Sequence, residues 1–281
     1  MDFVKKHIVE PGATVRLRKI ATVPDGPFDD KQEAYDFTAE TITKMRELQY
    51  RLYVEGKQSL LIVLQAPDAA GKDGVIRKVL GHLNAQGVRT FPFKVPTEIE
   101  RSHDFLWRIH KCTPGAGQVS IFNRSHYEDV LAVRVEDLVP KSVWSKRYEM
   151  INNFELLLAE NGTRIIKFYL HISPAEQLER FKERLDRPEK HWKLNLSDYD
   201  ARQKWGKYRE AYETVFEKCS SKAAPWFVIP ADKKWYRNAA VSSIVCQTLK
   251  EMDPQLPKVE VDLDEVRERY ETELAQLDDD S

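Results

Sequence analysis

Cysteine is scarce in this sequence: Cys112, Cys219 and Cys246 are the three in 281 residues, far apart and without C-x-x-C spacing. That excludes a disulfide framework and a thiolate zinc cluster, and leaves reduced, partly buried thiols as the expectation. Long apolar runs are missing too. No window approaches the roughly 18 residues that span a bilayer, and Met1–His7 is not followed by the apolar stretch of a secretory signal. The expected compartment is the cytosol, with no membrane partner. Charge of one sign is also lacking, since the net charge is -1. The chain as a whole therefore has no pull on nucleic acid or anionic lipid, and any anion site must be local. Internal repeats, low-complexity tracts and the N-K-x-D motif of guanine-reading switches are absent from the sequence.

What is present is a folding composition: 42% hydrophobic and 32% charged residues give a sizeable core under a charged surface. The length fits one large domain with a lid and extensions. Residues 1–30 hold Pro11, Gly12, Pro24, Gly26 and Pro27 with little periodicity and read as an irregular arm, on which Arg16, Arg18 and Lys19 are solvated. Ile42, Met45, Leu48, Leu52 and Tyr53 recur at helical spacing within Lys31–Glu55, and Gly56 stops that helix. Ser59–Leu64 is a continuous apolar run, as in a strand buried on both faces.

Further strands are expected at 88–93, 119–122, 165–171 and 226–229. Helices are expected near 102–111, 143–160, 174–185, 199–218 and 235–252. This alternation predicts a three-layer α/β fold, a parallel sheet flanked by helices. Residues 31–255 form the principal domain, with a helical lid at about 180–210. Residues 256–281 make an acidic helical tail, with Val266, Tyr270 and Leu274 at helical spacing and Asp278-Asp279-Asp280 at a frayed end.

The chemistry concentrates in three places. The first is Leu64-Gln65-Ala66-Pro67-Asp68-Ala69-Ala70-Gly71-Lys72-Asp73-Gly74, between a buried strand and a helix. A loop so placed aims backbone N–H groups and a helix amino terminus at one point and cradles phosphate oxygens, with Lys72 to neutralise them. Ala69, Ala70, Gly71, Lys72, Asp73 and Gly74, with Arg77 in the next turn, are the phosphate-binding candidates. The loop departs from G-x-x-x-x-G-K-[ST] twice, with Ala66 at the first glycine and Asp73 at the hydroxyl position. Asp68 would repel a phosphate unless a cation stood between them, so it is the first metal-ligand candidate.

The second is Asn123-Arg124-Ser125-His126-Tyr127-Glu128-Asp129, at the carboxyl end of a strand, where ligands of open sheets gather. Arg124 suits phosphate bridging, Asn123 and Glu128 suit ligand binding, and Asp129 is the second metal-ligand candidate. The third is Arg180–Lys193, with seven basic side chains, counting His191, in fourteen positions. Arg180, Arg184 and Arg187 share a helical face, and with Lys190 and Lys193 they make a mobile clamp for a transferring phosphoryl group. Trp192 is assigned to packing. Asp68, Lys72, Arg124, Arg184 and Arg187 are the catalytic candidates.

Together these motifs resemble the polyphosphate kinase 2 family over about Lys31 to Met252, with Pro96-Thr97-Glu98, His103–Arg108 and Pro230–Tyr236 as supporting stretches. The resemblance implies a thymidylate-kinase-like P-loop kinase fold and a Mg²⁺ cofactor, with Mn²⁺ as a substitute. It also implies phosphate transfer between inorganic polyphosphate and adenine nucleotides, with guanine a second base, in a homo-oligomer that binds no nucleic acid. Other branches carry Asp at Asn123 and Trp-Tyr-Asn at His126-Tyr127-Glu128, which leaves the second metal ligand open. The stretch as it stands is similar to the branch that phosphorylates both AMP and ADP. The rival reading is an ATP-dependent nucleoside monophosphate kinase, which shares loop and lid but holds a nucleoside, not a polyanion, as donor.

Overall fold

The structure is a computed structural model, and it describes residues 2–279. Six strands form one sheet: β1 Ile8–Val9, β2 Ser59–Gln65, β3 Val88–Pro92, β4 Val119–Asn123, β5 Thr163–His171 and β6 Trp226–Pro230. Their order is β1-β6-β5-β2-β4-β3, with β1 antiparallel to β6 and every other pair parallel. The expected three-layer α/β fold is therefore present.

β2 lies at the centre because all seven of its residues can be buried. Leu60, Ile62 and Leu64 point into one layer and Leu61 and Val63 into the other. Each such side chain contributes about 1.5–3 kcal/mol by leaving water. One face is covered by helices Lys31–Glu55 and Lys234–Met252, the other by Arg147–Glu160 and Trp205–Cys219.

Helix Lys31–Glu55 starts where the Asp30 carboxylate accepts from the N–H groups of Gln32 and Glu33, and stops at Gly56 in the left-handed region. Its buried stripe runs through Ala34, Thr38, Thr41, Met45, Gln49 and Leu52, while Tyr53 is exposed. Half of that stripe is polar, which a count of apolar residues could not reveal.

Four expectations change. The arm is ordered: helix Phe3–His7 leads into β1, Phe3 packs among Phe28, Phe37 and Tyr236, and Leu17 is buried. Elements of five and two residues carry too little periodicity to be read, and their stability comes from pairing with distant chain. The stretch 102–111 is not one helix but follows Glu98–Arg101 and holds the single turn Trp107–His110. The stretch 199–218 breaks at Lys204 into Leu196–Gln203 and Trp205–Cys219. Trp192 does not pack: it is 78% exposed, with the Lys193 ammonium over its ring.

The acidic tail is helical over Leu263–Asp279, and its side chains through Leu277 are exposed. The frayed end expected at Asp280 lies outside the described residues. No helix among the described residues is long and apolar enough to cross a membrane.

Candidate active site

β2 and β4 run parallel and side by side, so the loop after β2 and the segment after β4 open at the same edge of the sheet. The first turns sharply: Ala69 has φ 60° and Gly71 φ 108°, both left-handed, before helix Lys72–Lys78 begins. Such geometry points successive N–H groups toward one place. Lys72 folds back, and its buried Nζ donates to the Ala66 carbonyl at 3.0 Å. Burial, helped by the Arg124 charge, lowers the Lys72 pKa to about 8 against the opposing pull of Asp68, Glu128 and Asp73.

After β4, Arg124 also adopts a left-handed backbone, with φ 63°, and its N–H donates to the Leu64 carbonyl at 3.0 Å. This conformation costs a non-glycine residue about 1–3 kcal/mol and persists where the surroundings enforce it. It turns the guanidinium onto Asp68, where Nη2 donates to Oδ1 at 2.6 Å, with Glu128 3.6 Å from Nη1. Glu128, with Asp68 behind it, holds Arg124 charged against the effect of burial. Asn123 donates to Asp73 Oδ1 at 3.0 Å, tying β4 to the first turn of the helix after the loop.

Behind Arg124 lies a buried polar network. Lys167 Nζ donates to Glu155 at 2.5 Å, to the Tyr127 hydroxyl at 2.8 Å and to the Cys219 carbonyl at 2.7 Å, and His126 meets the same carboxylate at 3.2 Å. These contacts fix the short turn His126–Asp129 from beneath.

Two cavities meet at Asp68 and Arg124, which line both. The larger, about 400 Å³, is an open crevice bordered by Lys72, Arg77, Lys94, Arg184, Lys190, Lys193, Lys234 and Arg237. Among the described residues its one aromatic neighbour is Phe93, which packs edge-on against Phe122 at 4.9 Å. The smaller, about 70 Å³, is lined by Tyr169, Trp205, Tyr208 and Tyr212, with Leu17 from the arm and Glu128. One cavity suits a polyanion; the other suits a planar apolar body bearing polar edges.

Most of the residues singled out in the sequence converge on the crevice: Asp68, Ala69, Gly71, Lys72, Asp73, Gly74, Arg77, Asn123, Arg124, Arg180, Arg184, Lys190 and Lys193 line it. Four stand elsewhere. Ala70 is buried, and its carbonyl faces arginines. Glu128 lines the aromatic cavity. Arg187 lines neither cavity and pairs with Glu189 and Glu183. Asp129 also lines neither: it is held by Arg147 at 2.9 Å, and burial raises its pKa to about 6. A carboxylate so placed is taken up by Arg147 and is not among the residues that line the crevice beside Asp68.

Arg180 borders the crevice yet uses all five of its donors within the protein. Nε donates to Glu176, Nη1 to the Ala69 and Ala70 carbonyls, and Nη2 to those of Ala231 and Asp232. It clamps the loop to the end of β6 and leaves no N–H for a phosphate. The basic segment 180–193 touches the helix after the loop through Lys193, 3.7 Å from Asp73, while Arg184 meets Asp198 at 3.0 Å and Glu183 takes Lys190 and Lys234. The hydrogen bond from Lys190 lowers the Glu183 pKa to about 2.

Lys94, Lys234 and Arg237 were not anticipated. The signal was available for the last two, since Lys233-Lys234-Trp235-Tyr236-Arg237 follows β6 at the same edge of the sheet.

The donor set suits a metal that carries phosphate. No group of three or more His, Cys, Asp or Glu able to hold a metal occurs among the described residues. Mg²⁺ commonly binds through one or two carboxylates plus phosphate oxygens and water, and does not need a full protein cage. Asp68 fits that pattern: Oδ1 takes Arg124, while Oδ2 has no hydrogen-bond partner among the described residues and the side chain borders the crevice.

Comparison with known proteins gives concordant likenesses. The family model for polyphosphate kinase 2 matches residues 29–257. An AMP/ADP-polyphosphate phosphotransferase of Meiothermus ruber is 48% identical over 258 residues, 92% of this chain and 97% of that protein. An ADP-polyphosphate phosphotransferase of Rhodopseudomonas palustris is 41% identical over 266 residues, 90% and 92% of the two chains. The crystal structure of polyphosphate kinase 2 from Arthrobacter aurescens superposes with a TM-score of 0.90 at 40% identity, covering 93% of this chain and 94% of that one.

Proposed function

The chain belongs to the polyphosphate kinase 2 family, and from that premise we propose that it is a Mg²⁺-dependent phosphotransferase between inorganic polyphosphate and the nucleotides AMP and ADP. The observation that carries this reading is the pairing of the two cavities across Asp68 and Arg124. A donor nucleoside would need an apolar slot along the phosphate crevice. That crevice instead offers cations and a single ring already packed, which favours a chain of phosphates over ATP.

In this reading the polyphosphate lies along Lys94, Lys234 and the lid lysines, with its terminal group at the loop amides and Lys72. The acceptor nucleoside occupies the aromatic cavity, and its phosphate points at Arg124. Because that cavity is only about 70 Å³, entry requires the segment Leu196–Gln203 to swing outward, and its return excludes water. Arg124 bridges the two phosphates, and Arg184 leaves Asp198 for the transferring group. Phosphoryl transfer of this kind rests on alignment and charge compensation more than on covalent help from the protein. Bound at Asp68, Mg²⁺ would offset the charge of the phosphate oxygens.

We read the enzyme as cytosolic and as a homo-oligomer, the oligomer supported by the exposed stripe Val266, Tyr270 and Leu274 on the terminal helix. The test incubates purified protein and Mg²⁺ with polyphosphate plus AMP, and separately plus ADP, beside an Asp68→Asn control. The expected result is ATP from ADP, and ADP then ATP from AMP, with the control inactive. Phosphorylation of AMP by ATP but never by polyphosphate would overturn the donor assignment.

A further inference from the structure

We propose that Arg237 is a phosphate-binding residue of the donor site, donating to a non-bridging oxygen of the chain where it passes Gly71 and Gly74. The inference rests on the polyphosphate reading above and adds a residue to it.

Two arginines are buried against the phosphate loop, and their hydrogen-bond accounts differ. Arg180 has Glu176 as a counter-charge and no donor to spare. Arg237 donates Nε and Nη2 to Asn238 Oδ1 and Nη1 to the Ala70 carbonyl. Each Nη carries two N–H groups, so one on each is left over. No carboxylate stands within ion-pair distance of Arg237 among the described residues, although its side chain is 3% exposed. An unpaired buried cation is costly. Burial and the neighbouring Arg180 charge lower its pKa to about 9, so the fold tolerates this charge but does not itself neutralise it.

Arg237 borders the crevice together with Gly71 and Gly74, and its guanidinium lies against these two glycines. A Cβ at Gly71 would come within 1.9 Å of Arg237 Nη1, and one at Gly74 within 3.0 Å of Nη2. Both glycines therefore admit the guanidinium to the loop, where it adds a third cation to Lys72 and Arg124. A polyanion entering the crevice supplies the missing counter-charge.

The test uses the full chain with Mg²⁺, as wild type, Arg237→Met and Arg237→Lys. Initial rates are measured with polyphosphate varied at saturating AMP, then with AMP varied at saturating polyphosphate. Calorimetry measures polyphosphate binding without nucleotide. Losing a charge-assisted contact should raise KM for polyphosphate by about tenfold or more in Arg237→Met, with parallel loss of binding. KM for AMP should stay unchanged, and Arg237→Lys should recover part of the loss. Wild-type KM and binding for polyphosphate in Arg237→Met would overturn the proposal, as would equal losses for both substrates with binding intact. If Arg237→Met does not fold, Arg237→Lys decides alone, and an unaltered polyphosphate KM there overturns it. A wild-type protein that neither binds nor uses polyphosphate would overturn the functional reading itself.

Discussion

Arg124 donates to Asp68 across 2.6 Å, and this pair forms the wall shared by the two cavities. Under the proposed function each partner has a second task once ligands enter: Arg124 would turn to phosphate and Asp68 to the metal. Asp68→Asn keeps the hydrogen bond but not the charge. It should lower kcat by about 100-fold or more, the scale of losing one group that stabilises a transition state. Arg124→Lys cannot bridge two phosphates with a planar fork and should fall similarly. Steady-state kinetics with unchanged thermal midpoints would separate this from unfolding.

Lys72 leads to a pH prediction. Its folded pKa of about 8 lies below the ordinary lysine value because burial penalises the cation. The unfolded chain thus binds more protons above pH 8, and this group makes stability rise with pH there. Phosphate binding has the opposite sign, since it needs the cation. Polyphosphate affinity should hold below pH 8 and weaken above it, and Lys72→Met should remove that dependence. Calorimetric titrations between pH 6.5 and 9.5 test both halves; a flat profile in the wild type would falsify the assignment.

Gly71→Ala faces two obstacles: a φ of 108° and the Arg237 guanidinium 1.9 Å from the new Cβ. The backbone conformation alone costs roughly 1–2 kcal/mol. The variant should lose several degrees of thermal stability and most activity. Gly206 is helical with nothing within 4 Å, so Gly206→Ala should instead stabilise by about 0.5–1 kcal/mol. Paired melting curves decide.

Lys167→Met leaves Glu155 buried with only Tyr127 and His126 as partners. Breaking a buried pair by removing one member costs about 3–5 kcal/mol. The urea midpoint should drop accordingly, and Lys167→Met/Glu155→Gln should recover part of the loss. A midpoint unmoved in Lys167→Met would mean that the network contributes nothing to stability.

Metal removal is the simplest check on Asp68. A chelator should abolish transfer, and Mg²⁺ or Mn²⁺ should restore it in the wild type but not in Asp68→Asn. Full activity after exhaustive chelation would rule out the metal.

The sequence by itself determined the layers and the position of the loop. Five consecutive residues of β2, Leu60 to Leu64, form an uninterrupted apolar run, which can be satisfied only between two helical layers, and glycine with lysine beyond its end marks a strand–loop–helix turn. These are local features, and they marked Asp68, Lys72 and Arg124 as candidates, which the fold brings to one crevice.

Tertiary structure alone decided which cations are free. Arg180 and Arg237 look equivalent in sequence, yet one is saturated by four carbonyls and Glu176 while the other keeps two donors. Asp129 appeared as available as Asp68 until the turn after Arg124 carried it onto Arg147. The arm's ordering through β1 and Leu17 likewise depends on partners more than 190 residues away. Hydrogen-bond satisfaction and burial depend on what else the fold brings near, and neither is a property of a residue's chain neighbours.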